Sequence, residues 1–157
     1  MVPSVQPAEP TVVRRVFEAW SIEIPASFAE TYIDEDSYWH AYDEHRSVSL
    51  TSILLTDQGR PVPAEMILRE LPQLDGTPCE ELPPSLFGRA VSGASVRPAK
   101  ASRVISGILA VDGRLLIATI TSDDLDWALQ TWLSICSHAA LQPPRRLRRR
   151  AARAKAR

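Results

Sequence analysis

The chain has 157 residues, 45% apolar and 24% charged, with 18 basic and 19 acidic side chains and a formal net charge of -1. That composition excludes a disordered chain, a collagen-like repeat and a disulfide scaffold, and the length suits one domain that buries roughly two-thirds of its unfolded surface. The near-neutral total conceals a split: residues 145–157 hold eight basic groups and no acidic one, leaving ten basic and nineteen acidic side chains for residues 1–144.

Pro3, Pro7 and Pro10 mark residues 1–11 as an extended lead-in, followed by a single domain over 12–140 and a basic, disordered tail over 141–157. The first residues show neither a basic n-region nor an apolar h-region. No run approaches the ~18 uninterrupted apolar residues of a membrane span, so a soluble cytoplasmic chain is expected. Cys79 and Cys136 are too few for a disulfide framework and are read as reduced thiols.

In chain order, Val16, Trp20, Ile22 and Ile24 share one face at period two, which predicts a half-buried strand ended by Pro25. Phe28 to Tyr32 reads as a short helical turn, Tyr38 to Tyr42 as an aromatic strand, and Arg46 to Thr56 as a longer strand. The Ile53-Leu54-Leu55 stretch of that strand is apolar on both faces and should be packed from both sides. Asp57 to Arg60 is a turn, and Pro63 to Leu71 a helix with Met66, Ile67 and Leu71 on one side. Residues 73–84 read as loop and Leu86 to Ala94 as a strand or irregular edge. Ser102 to Val111 and Arg114 to Ile120, joined by Asp112-Gly113, predict a hairpin with a type I′ turn. Thr121 to Asp126 supplies capping hydroxyls and acids for a last helix, which covers the sheet with its Trp132 face and carries Cys136 as a small core residue. The order is α+β: an antiparallel sheet covered by helices.

The segments Ile22-Glu-Ile-Pro25, Tyr38 to Tyr42, Ser47 to Asp57 ("SVSLTSILLTD") and Trp127 to Ile135, in this order of elements, resemble the PsbP-like α/β/α sandwich group. That group includes the photosystem subunit PsbP, a Ran-binding nuclear import factor and actinobacterial LpqN-type lipoproteins. The resemblance spans the domain and implies a non-catalytic, partner-binding or accessory role. It rests on element order and a few residue types, and it assigns no functional residue. A lipobox Cys is absent, so membrane anchoring is not implied.

Local chemistry is sparse. His40, Asp43, Glu44 and His45 are of metal-binding and acid–base types, but the histidines fall on opposite faces of a strand and turn, and no third ligand recurs at a fixed spacing. There is no Gly-x-Ser-x-Gly elbow, Ser92-Gly-Ala-Ser95 not being one, and no Walker loop, dinucleotide fingerprint or Cys-x-x-Cys pair. Glu80 and Glu81 disfavour a Cys79 thiolate, and His138 is read as a partner of the last helix's C-terminal dipole. No catalytic residue, metal or cofactor is therefore expected, and a non-enzymatic role is preferred.

Two binding features stand out. Tyr38, His40 and Tyr42 line one strand face, with Trp39 on the other, a candidate surface for a protein partner. Arg145, Arg146, Arg148, Arg149, Arg150, Arg153, Lys155 and Arg157 could meet nucleic acid phosphates, an anionic surface or an acidic protein. The principal reading is a binding or accessory module with a protein partner. The second is a nucleic-acid-associated chain that makes its contact through the tail.

Overall fold

The computed structural model describes residues 8–34, 37–70, 77–78, 88–97 and 100–138, with side chains at 33–34 and 77–102 left aside. The basic segment 145–157, Cys79 and most of the predicted 73–84 loop lie outside the described residues.

The chain opens with a hairpin of β1 (Thr11–Val16) and β2 (Trp20–Pro25), paired from Val16↔Trp20 to Thr11↔Pro25. The single strand expected from Val16 onward is thus two. The period-two reading of its buried face survives because the three-residue connection sets Val16 directly opposite Trp20, and Val16, Trp20, Ile22 and Ile24 are all essentially fully buried. The reversal runs through Phe17 and Glu18 at φ 55° and 60°. No Gly, Asn or Pro marks such a turn, and left-handed backbone costs roughly 1 kcal/mol or more per residue with a Cβ.

β3 (Ala29–Asp34) is a strand where a helical turn was expected, paired antiparallel with β4 (Tyr38–Tyr42), with a register shift between Tyr32 and Asp34. As a sheet-edge strand, exposed at Ala29 to Tyr32, it has no apolar alternation to announce it. β5 (Ser47–Leu54) follows β4. Its last residues depart from the expected two-sided packing: Leu54 is 71% and Ile53 37% exposed, where β5 runs past the end of its pairing with β4 at Tyr38↔Thr51.

The two-residue strands β6 (Thr56–Asp57) and β7 (Arg60–Pro61) form a small hairpin turned by Gln58 and Gly59 at φ 48° and 76°. Two consecutive positive φ angles are the pattern that Asn-Gly fits best. Gln58→Asn should raise stability by about 0.5 kcal/mol, read as a higher urea midpoint at unchanged slope. α1 (Ala64–Glu70) buries Ile67, whereas Met66, expected on the same side, is 48% exposed.

β8 (Thr77–Pro78) pairs with β9 (Gly88–Arg97), a regular strand where an irregular edge was also considered. β10 (Lys100–Val111) and β11 (Arg114–Ser122) form the long hairpin expected. Its turn is not type I′, since Gly113 has φ 77° and Asp112 is not among the positive-φ residues. Gly113 is required for a second reason: a Cβ there would meet Pro61, and its backbone bonds Val62 and Leu55, so the long hairpin docks on the small one.

α2 (Leu125–Leu133) starts at Asp124, whose carboxylate accepts from Trp127 N, and ends at Ser134, whose N–H returns to the Gln130 and Thr131 carbonyls. Ser134 Oγ then accepts from Glu23 N and draws the chain onto β2, where β12 (Cys136–Ser137) adds a third strand. Cys136, expected in the helix and in the core, is in β12 and exposed.

Among the described residues the sheets are β1-β2-β12, β6-β7 and a seven-stranded antiparallel β3-β4-β5-β11-β10-β9-β8. The large sheet buries Trp39, Ala41, Val48, Leu50, Ile105 and Ile120 against the β1–β2 hairpin and against Ala128, Leu129 and Trp132 of α2. On its opposite face α1 packs Ile67 over Ile108, Ala110 and Leu115. Among the described residues the fold is α+β, with an antiparallel sheet carrying one helix on each face.

Candidate functional site

Strand alternation sorts the predicted residues into two environments. Trp39 is fully buried in the core and Ala41 beside it, so Trp39 cannot share a contact surface with its neighbours. Tyr38, His40 and Tyr42 project from the other face, beyond the part that α1 covers. The register places Thr51, Ser49 and Ser47 of β5 opposite them, then Ile117, Thr119 and Thr121 of β11. The result is a hydroxyl-rich, half-exposed sheet face. Tyr38 O–H donates to Ser49 Oγ at 3.2 Å. The His40 and Tyr42 rings stack at 4.9 Å and 25°, with Tyr42 41% exposed.

The other titratable candidates do not converge. His45 and Glu44 are a loose, exposed pair at 4.0 Å, and Asp43 is turned toward Arg46. No group of three or more potential metal ligands occurs among the described residues. His138, expected near the α2 dipole, lies beyond β12, where its N–H bonds Ala19 O and its Nε2 sits 2.8 Å from Ser21 Oγ. An open cleft of about 480 Å³ lies at the start of α2, lined by Arg103, Asp123, Asp124, Leu125 and Asp126, none of them predicted.

A further cluster escaped the sequence reading. Asp43 Oδ1 accepts the backbone N–H groups of His45 and Arg46 at 2.8 and 2.7 Å, closing the β4–β5 turn. Its Oδ2 takes Nε and Nη2 of Arg46 at 3.0 and 2.7 Å. Nη1 and Nη2 also reach the two oxygens of Glu9, both at 2.8 Å. The guanidinium carbon lies 5.1 Å from the Phe28 ring centre and 4.9 Å from that of Trp127. The hydrogen bond from Arg46 holds the Glu9 carboxyl below its ordinary range, against a smaller opposing effect of burial. For Asp43, burial pushes upward, but the bonds from the Arg46 side chain and from the His45 and Arg46 backbone together prevail and lower it. Glu9's hydrogen bond is the first cause raising the Arg46 pKa, ahead of partial burial, which lowers it, and of Asp43. Asp43-x-x-Arg46, an Asx-type turn, is the one trace of this cluster in the sequence.

No family model matches the chain, and no curated protein matches it. Among solved structures it is similar to a protein from Bacteroides thetaiotaomicron VPI-5482, whose crystal structure was determined at 1.50 Å. The TM-score is 0.55 at 6% identity, over 85% of this chain and 50% of that one. At that identity the likeness concerns the fold alone, and the chain spans about half the length of the protein it matches.

Proposed function

We propose that the chain is a non-enzymatic binding module of the cytoplasm, with the PsbP-like α/β/α sandwich as its fold, and that it meets a protein partner through the face bearing Tyr38, His40 and Tyr42. The carrying observation is the half-exposed His40–Tyr42 stack on a part of the sheet face that α1 does not cover. Aromatic rings held by neighbouring strands lose little entropy on contact, which is why Tyr is enriched where protein surfaces meet. The helices on opposite faces of the sheet support the fold assignment. No helix among the described residues is long and apolar enough to cross a membrane.

The test is capture by the full chain and by its His40→Ala/Tyr42→Ala variant. Both side chains are partly exposed, so unfolding should shift by less than about 1 kcal/mol. A partner retained by the native chain and lost by the folded variant supports this surface, and equal retention by both rejects it.

A second reading follows from the eight basic residues of 145–157: the chain binds nucleic acid phosphates through that segment. It requires binding to duplex DNA or RNA that weakens steeply with salt and disappears on deletion of residues 143–157. Absence of binding at low salt ends it.

A further inference from the structure

We propose that Arg46 is a carboxylate-binding site that Glu9 occupies in cis, and that its exchange ligand is an acidic side chain on an extended segment of a partner protein. The fork is built without Glu9. Asp43 fixes the Nε and Nη2 side of the guanidinium, and the Phe28 and Trp127 rings fix its plane. What remains is the Nη1–Nη2 edge, which takes the two Glu9 oxygens at equal 2.8 Å distances in the bidentate geometry that suits a carboxylate.

The residue in that position is the most easily withdrawn part of the cluster. Residues 8–10 precede β1 and are all exposed, and besides Glu9 the backbone bond from Ala26 N to Pro10 O ties them down. Leaving the fork empty gives up its two charge-assisted hydrogen bonds, so departure of Glu9 favours entry of another anion. Arg46 and Asp43 together are neutral. A monoanion therefore restores the present charge state, while a phosphate dianion adds charge beside Asp43. Phe28 and Trp127, the rings that hold the guanidinium, pack with the core on the side of the sheet opposite His40 and Tyr42, so the fork is separate from the proposed binding face.

The intramolecular carboxylate has the advantage of high effective concentration, so exchange is measurable once it is neutralised. The probe is a capped peptide with the chain's own sequence from Gln6 to Thr11, supplied to full-length Glu9→Gln protein, with the Gln-containing peptide as control. The Arg46 Nε–Hε signal is followed by NMR. The Glu peptide should shift that signal saturably, bind Glu9→Gln at least about tenfold more tightly than the native chain, and lose its effect with Arg46→Gln added. Failure to shift the signal, equal binding to the native chain and Glu9→Gln, or equal effect of the control peptide overturns the proposal. Glu9→Ala provides a second background with the same required outcome. Failure here, with capture still dependent on Tyr42, removes the fork and leaves the binding face; the converse removes only the face.

Discussion

Gly107→Ala should destabilise the protein by about 2 kcal/mol or more, although alanine ordinarily stabilises a strand relative to glycine. Gly107 lies in the middle of β10 opposite Ala118, on the face covered by α2, and a Cβ built there falls inside the Trp132 ring at Cζ3, Cη2 and Cε3. The indole is thus seated on bare backbone, and any side chain at 107 must lift α2 or force the ring from its rotamer. Trp132 is 7% exposed, so Trp132→Ala should itself cost about 3–5 kcal/mol. The decisive measurement is a double-mutant cycle in urea with Trp132→Leu. If the ring causes the clash, adding Ala at 107 costs markedly less in that background, with a coupling of at least about 1 kcal/mol. Additive effects would show that the ring is not what Gly107 accommodates.

Arg46→Gln should cost about 2 kcal/mol at neutral pH, by loss of charge-assisted hydrogen bonds to two carboxylates and of the contact with two rings. The pH dependence has a definite sign. Glu9 and Asp43 both have folded pKa values below their ordinary ones. Groups so shifted contribute stability that is fully present above their unfolded values near pH 4 and is lost as pH falls through the depressed folded values. The native chain should therefore lose stability on acidification below about pH 4, and the gap between native and Arg46→Gln should narrow there. Urea midpoints of both proteins at pH 6 and pH 3 test this; a gap of constant size would place the Arg46 contribution in ring packing alone.

What could be read in advance was what repeats along the chain. The alternation of Val16, Trp20, Ile22 and Ile24 gave the buried face even though the chain reverses between Val16 and Trp20, since a register in which these two pair preserves facing. The β10–β11 hairpin and the Trp132 face of α2 were legible because each is long and strongly patterned. The turn at Phe17–Glu18 was not, because its residues carry no local preference for positive φ and are held there by the pairing on either side. β3 was missed because an edge strand has little apolar pattern to declare. Cys136 was misplaced because helical spacing continues past Leu133, whereas Ser134 bonds Glu23 of β2 and diverts the chain into β12. Of the candidate surface, alternation alone separated Trp39 from Tyr38, His40 and Tyr42. The Arg46 cluster joins Glu9, Phe28, Asp43 and Trp127 from distant parts of the chain, a convergence that no local window contains.

The three-stranded sheet has a consequence for synthesis. Its first two strands leave the ribosome early, yet the strand that completes it arrives with Cys136, and His138 meets a Ser21 that is 117 positions earlier. Until β11 and α2 join β4, β5 and β10, Val16, Trp20, Ile22 and Ile24 are only partly covered. The nascent hairpin therefore waits with an apolar side open, and Arg14, Arg15 and Glu23, charged and exposed on the same two strands, are placed to keep it from pairing with other chains meanwhile.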